Sequence, residues 1–171
     1  MELKIRRVVT LGLLTAIALT IFLLEAQLPP LTPVPGIKLG LANIVTVFTV
    51  FALGRKEGLL VLCARVFLGA VFAGNFSTIL YSGAGGICAI LVTMALKSVL
   101  RENQLFIAGS LGAAAHSVGQ MAMAVIIAGT PSLILYLPVM LICSIVSGAF
   151  TGLCAQFVLK RGKKIWKTIS G

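Results

Sequence analysis

The chain has 171 residues, of which 59% are hydrophobic and 11% are charged, with a mean hydropathy of +1.12. A soluble domain is on average roughly 25% charged and could not bury this much apolar surface in one core, so an ordinary soluble protein is excluded. The net charge of +10 does not indicate nucleic-acid binding, because the basic residues flank the apolar runs.

Apolar runs bounded by charge, proline or glycine predict an all-α membrane protein with six transmembrane helices in one domain. The predicted spans cover about residues 8–28, 39–54, 58–75, 78–96, 105–128 and 132–158, and a basic tail follows over 159–171. The second run is shorter than the roughly 17 residues that a crossing helix commonly needs. We therefore expect this helix to begin within the preceding loop or to lie in a thinned region.

Small residues four apart allow membrane helices to pack closely. The first span carries such a stripe at Gly12, Ala16 and Thr20, and the sixth carries another at Ser144, Gly148 and Gly152. The fourth span contains the run at 82–86, which lets a neighbouring helix or a ligand approach the backbone. Packing within the bundle explains each pattern, and contact with a second membrane subunit is the alternative.

A proline-rich segment joins the first two spans, with prolines at positions 29, 30, 33 and 35 between Glu25 and Lys38. Proline stiffens a connection and removes backbone donors that would need partners near lipid. Two interpretations stay open. The segment is a rigid turn held by an ion pair, or it is a preformed lid over an outward-facing site.

The distribution of lysine and arginine predicts the orientation. With the N-terminus inside, every basic residue except Lys38 and Arg65 falls on the cytoplasmic side or in the tail. We therefore expect both termini in the cytoplasm of a bacterium, with the chain in the inner membrane and in contact with lipid.

Polar side chains in the predicted spans concentrate in the extracellular half. Lone polar groups in lipid would each cost several kcal/mol, by the usual estimate of roughly 2–7, so an outward-opening cavity is the economical explanation. The candidate ligand-binding residues are Glu25, Lys38, Asn43, Asn75, Tyr81, His116 and Gln120. Arg65 lies in the third span, on the cytoplasmic side of its middle. Its side chain can extend from there to the cytoplasmic surface of the membrane, and we consider it a candidate structural or gating cation.

The sequence contains no recognisable catalytic set. It has four acidic residues, no acidic cluster for magnesium diphosphate chemistry and no phosphate-binding loop. Cys63, Cys88, Cys143 and Cys154 lie singly in apolar runs, which makes a metal site or disulfide framework improbable. We expect a protein that is not an enzyme and holds no metal or cofactor, and any uphill transport would need a partner or an ion gradient.

Two segments carry a resemblance. PGIKLGLAN (35–43) and GAAAHSVGQ (112–120), with the glycine-rich fourth span between them, resemble the Gx transporter family, which also carries the name heptaprenyl diphosphate synthase component I. That family is similar to the substrate-binding S components of energy-coupling factor (ECF) importers. The resemblance implies six helices, substrate binding near the extracellular side, and a small-residue stripe on the first helix that contacts a coupling subunit. Thr20 departs from the alanine usual in that stripe.

Three functions follow as hypotheses. The first is an S-component-like subunit that binds a small molecule from outside, such as a vitamin or a flavin or quinone precursor, with a transmembrane coupling subunit and ATPases as partners. The second is a non-catalytic membrane component associated with heptaprenyl diphosphate synthase or quinone metabolism. The third is a membrane adaptor of a flavin-based extracellular electron-transfer system.

Overall fold

The computed structural model describes residues 2–28, 38, 40–74 and 76–162, and these residues form helices without any strand. The α-helices are α1 (Glu2–Glu25), α2 (Asn43–Ala52), α3 (Arg55–Ala73), α4 (Ser77–Leu96), α5 (Leu105–Ala128) and α6 (Leu137–Arg161). Two 3-10 helices precede α5 and α6, at Glu102–Gln104 and Pro131–Tyr136. The all-α class expected from the sequence is confirmed.

Four of the helical segments are long and apolar enough to cross a membrane. They are Ile5–Glu25, Ser77–Leu96, Glu102–Ala128 and Pro131–Arg161. The prediction of six spans therefore holds only in part for the described residues. Helix α3 has a suitable length but carries Arg55, Lys56, Glu57 and Arg65, and α2 has only 10 residues. The predicted orientation stays a prediction.

Helix α2 forms the centre of the bundle. It packs against each of the other five α-helices, and most of its side chains are buried. The other five α-helices surround α2 in the order α1, α3, α4, α5, α6, because each helix in this series packs against the next one. At about 1.5 Å per residue its length is about 15 Å, half of a hydrocarbon core about 30 Å thick. One end of α2 must therefore lie deep inside the bundle.

Glycines let α5 and α6 approach to backbone contact. A Cβ added at Gly148 would lie 2.5 Å from the carbonyl oxygen of Gly109, and one added at Gly152 would lie 2.6 Å from that of Leu105. The stripe on the sixth span is thus an internal packing surface, as the first interpretation of that pattern expects. On α1, Gly12, Ala16 and Thr20 are exposed, and a Cβ at Gly12 would meet nothing within 4 Å.

Charged side chains join the helices at the end of the bundle where α2 stops. Arg7 of α1 pairs with Glu57 of α3. The Lys97 ammonium donates a hydrogen bond to the carbonyl oxygen of Val50 (2.5 Å), and Arg55 donates to that of Met94 (3.1 Å). Cations at these positions satisfy carbonyls that the last turns of α2 and α4 leave without helical partners. These contacts fix one end of the bundle and leave the polar groups described next near its middle.

Candidate functional site

The turn that leads into α2 is buried, so its backbone N–H groups require acceptors inside the protein. Glu25, the last residue of α1, supplies them. The N–H groups of Gly40 and Leu41 donate to Oε1 and Oε2 of its carboxylate, at 2.6 Å and 3.0 Å. Both oxygens accept, as an ionised carboxylate does. Glu25 is 5% exposed, so its carboxylate lies inside the protein.

The segment that enters α2 is also attached to α5 and α1. The backbone N–H of Lys38 donates to Oε1 of Gln120 (3.2 Å), and the Lys38 ammonium lies 3.5 Å from the centroid of the Phe22 ring. Partial burial lowers the pKa of Lys38, and the neighbouring Glu25 carboxylate acts in the opposite direction. Lys38 is therefore held in place twice: its backbone binds Gln120, and its side chain contacts Phe22.

Arg65 of α3 points into the bundle. Its guanidinium donates to Oδ1 of Asn43 (3.4 Å) and lies 6.0 Å from the Phe22 ring centroid. The residue is 2% exposed. The expectation that this side chain extends to the cytoplasmic surface is therefore wrong, because the start of α2 offers an acceptor inside the bundle. A buried cation of this kind usually marks a functional or structural partner.

His116 of α5 is enclosed by two glycines. A Cβ added at Gly40 would lie 2.7 Å from Cδ2 of the imidazole, and one added at Gly85 of α4 would lie 2.8 Å from Cε1. Both glycines are required for this fit, and Gly40 also has a φ of +78°, which other residues rarely adopt. The glycine-rich run of the fourth span therefore makes room for the imidazole of α5.

Several buried polar atoms of this region have no hydrogen-bond partner among the described residues. They are Nδ2 of Asn43, Oγ1 of Thr46, Nε of Arg65, Nδ1 of His116, Oγ of Ser117 and Nε2 of Gln120. Native proteins leave few such atoms, and each calls for a water, an ion or a ligand. We call these six residues together with Glu25 and Lys38 the central polar cluster.

Five of the seven candidate ligand-binding residues belong to this cluster: Glu25, Lys38, Asn43, His116 and Gln120. Tyr81 does not, because it packs in an apolar cluster with Met121, Leu133 and Met140. Asn75 and the four prolines of the first connection lie outside the described residues, so their predicted roles stay predictions.

Sequence reasoning missed Thr46, Ser117 and Phe22. Thr46 follows Asn43 by three residues and Phe22 precedes Glu25 by three, so each shares a helix face with a residue that was identified. That spacing could have found both. Ser117 follows His116 directly in the sequence, and no periodicity indicates that both are buried in the same region.

The unpaired atoms of the cluster are hydrogen-bonding groups, and Lys38, Arg65 and Glu25 add charges beside them. A cavity of about 10 Å³, which is room for about one water, lies between α2, α5 and α6, and Asn43 is the cluster residue that lines it. The described residues contain no group of three His, Cys, Asp or Glu side chains suited to a metal ion.

Comparison with known proteins returned one match. The model of a family described as heptaprenyl diphosphate synthase component I matches residues 14–158, which is most of the chain. Neither the curated proteins nor the solved structures contain a match to the sequence or to the fold. The matched range includes α2 to α5 complete and every member of the central polar cluster, and the chain belongs to the heptaprenyl diphosphate synthase component I family.

Proposed function

We propose that this protein is a membrane-embedded binding subunit that takes a small polar molecule into the central polar cluster, as the S component of an ECF-type importer does. In this function the entrance lies near Glu25 at the end of α1, and the protein performs no chemical conversion. Energy for release to the other side comes from a coupling subunit and ATPases on other chains.

The observation that carries the proposal is the set of six buried polar atoms without partners. In hydrocarbon, every unpaired polar group is costly, so a fold that gathers several at one place gains stability when a ligand satisfies them. Transporters commonly build such sites where a helix is interrupted near the bilayer midplane. Helix α2, which starts in the middle of the bundle, provides that geometry.

The exposed stripe on α1 supports a partner for this function. Gly12, Ala16 and Thr20 form a flat outward surface, and the hydroxyl of Thr20 donates to the carbonyl oxygen of Ala16 (3.0 Å). Because this bond satisfies the hydroxyl within the helix, Thr20 needs no polar partner on this surface. The departure from alanine therefore preserves a small apolar contact surface for a coupling subunit.

The proposal is tested by native mass spectrometry of the purified protein, followed by identification of any small molecule released on denaturation. We expect a bound molecule in the wild type and its loss in Gln120→Leu and His116→Ala. Gln156→Leu is the matched control, since Gln156 accepts a hydrogen bond from Leu105 N–H (3.2 Å) outside the cluster. A wild-type protein that binds nothing, when purified from the native membrane, would refute the proposal.

A second candidate function has its own observation. An apolar groove of about 270 Å³ lies between α1 and α6 with α2 as its floor, lined by residues that include Leu13, Ile17, Phe48 and Val158. The family name refers to a synthase of a long isoprenoid, and a groove of this kind suits an isoprenoid chain. In this function the protein is a non-catalytic component that holds the lipid product or recruits the synthase.

Co-purification separates the two functions. A detergent pulldown that recovers a prenyl synthase, with an isoprenoid released from the protein, supports the second function. Recovery of ATPases with a polar small molecule supports the first. A flavoprotein partner would indicate the electron-transfer adaptor instead. Phe48→Trp, which fills the groove, should abolish isoprenoid binding and leave the polar molecule bound.

A further inference from the structure

We infer that the ligand of the central polar cluster is a small monoanion rich in hydrogen-bond acceptors, such as a carboxylate; this inference rests on the proposed function. The reason is an imbalance between donors and acceptors, which the hydrogen bonds of the cluster define without ambiguity.

The side-chain oxygens of three cluster residues are already engaged. Oε1 and Oε2 of Glu25 accept from the N–H groups of Gly40 and Leu41, Oδ1 of Asn43 accepts from Arg65, and Oε1 of Gln120 accepts from Lys38 N–H. The Arg65 guanidinium and the Lys38 backbone N–H can only donate, so the amides of Asn43 and Gln120 must direct their oxygens toward these groups. This fixes the amide orientations that are otherwise hard to assign.

The groups left over are therefore donors. Nδ2 of Asn43, Nε2 of Gln120 and Nε of Arg65 are buried, carry N–H groups and have no acceptor among the described residues. None of these atoms can accept a hydrogen bond. The hydroxyls of Thr46 and Ser117 and Nδ1 of the neutral His116 imidazole can each donate or accept, so they do not change the balance. A ligand that completes the site must supply acceptors.

The charges agree with the hydrogen bonds. Lys38 and Arg65 are positive and Glu25 is negative, which leaves one positive charge with His116 counted as neutral. The chain's other acidic residues, Glu2, Glu57 and Glu102, lie at the opposite end of the bundle. The cluster therefore lacks one negative charge, and a buried unpaired charge is costly.

The position of α2 adds to the same preference. The N-terminal end of a helix carries a partial positive charge and favours anions. Here that end faces the cluster, and the carboxylate of Glu25 already binds the N–H groups of Gly40 and Leu41 in the turn before it. Glu25 thus shows how a carboxylate is recognised at this point, and a ligand carboxylate would meet the remaining donors of Asn43, Arg65 and Gln120.

Two near-isosteric substitutions test the inference. Asn43→Asp and Gln120→Glu each keep the oxygen that accepts the existing hydrogen bond, but remove one unpaired donor and cancel the excess positive charge. Gln156→Glu makes the same amide-to-carboxylate change outside the cluster, at a half-buried side chain that also accepts a backbone hydrogen bond. Thermal unfolding without ligand verifies that all three variants fold.

The probes are benzoate, benzamide and benzylamine, which share one ring and differ in charge at neutral pH. Their binding to the purified protein is measured as a ligand-dependent rise in the unfolding temperature. We expect wild type and Gln156→Glu to bind benzoate about tenfold or more tightly than benzamide, as charge-assisted hydrogen bonds allow. Asn43→Asp and Gln120→Glu should lose this preference.

The outcomes separate this inference from the proposed function. Equal shifts with all three probes, or a larger shift with benzylamine, would overturn the assignment of an anionic ligand. So would a molecule released from the wild-type protein that is cationic and absent from Gln120→Leu, although this result would support the proposed function. A wild type that releases no molecule at all refutes the proposed function itself.

Discussion

The carboxylate of Glu25, at the end of α1, accepts a 2.6 Å hydrogen bond from the backbone N–H of Gly40, 15 residues later in the chain. Together with the bond from Leu41, this contact ties the end of α1 to the turn that leads into α2, a helix that begins inside the bundle. The acid at the edge of the proline-rich segment thus binds the backbone just before the next helix.

Glu25→Gln should destabilise the protein by about 1–3 kcal/mol, because a neutral amide accepts at one oxygen only and leaves a buried N–H without a partner. The measurement is the thermal unfolding midpoint in detergent. Glu102→Gln makes the same change at an exposed side chain, in the 3-10 helix before α5, and should cost less stability because water can solvate the groups that it leaves. If the two variants unfold at the same temperature, Glu25 does not hold the start of α2.

Two glycines of α4 offer a direct comparison of packing. Gly85→Ala would place a Cβ 2.8 Å from the backbone oxygen of His116, which cannot move away as a flexible side chain could, whereas a Cβ at Gly83 meets nothing within 4 Å. We expect Gly85→Ala to cost about 1–3 kcal/mol of stability and to weaken ligand retention. Gly83→Ala should be neutral or stabilise α4 by up to about 1 kcal/mol. Unfolding midpoints that do not differ would contradict the close approach of α4 to His116.

The sequence predicted two of the long helices to within one residue, and the reason is physical, whereas the spans at 8–28 and 132–158 differ from α1 and α6 by several residues at each end. The prediction of 105–128 coincides with α5, and 78–96 differs from α4 by one residue, because both apolar runs end at glycine or charge. Helix α2 is shorter than its apolar run. Its residues are apolar because they are buried by other helices, and hydropathy does not distinguish burial in protein from exposure to lipid.

The candidate site was only partly predictable for a related reason. Polar residues in apolar runs indicate buried partners, and that signal found Glu25, Asn43, His116 and Gln120. Which helix faces meet depends on packing between segments distant in the sequence, so Tyr81 was grouped with polar residues although it packs in an apolar cluster. Arg65 likewise points into the bundle because α2 starts at that depth. The amino-acid composition of α2 does not reveal where the helix starts.

The outward stripe on α1 predicts a variant that separates folding from assembly. Ala16→Leu should leave the unfolding midpoint unchanged, because Ala16 is exposed, and should reduce co-purification of a coupling subunit. Ala122→Leu, at an exposed position of α5, should affect neither property. Unchanged recovery of the partner with Ala16→Leu would show that the coupling subunit binds elsewhere.

The last prediction concerns pH. Because burial lowers the pKa of Lys38 in the folded protein, the unfolded chain, with a lysine pKa of about 10.4, binds more protons in the interval between the two values. The free energy of unfolding should therefore rise with pH through that interval, as the cost of burying the ammonium is relieved. Burial also lowers the pKa of Lys97, so the wild type should show the sum of both contributions.

Lys38→Arg tests this assignment, since arginine keeps a cation near Phe22 but does not titrate in this range. Its unfolding midpoint should rise less steeply with alkaline pH than that of the wild type. Lys56→Arg changes an exposed lysine at the start of α3 and should keep the wild-type slope. If Lys38→Arg also keeps the wild-type slope, the Lys38 ammonium is not partly buried beside the cluster. Lys38 would then not contribute to the excess positive charge of the cluster.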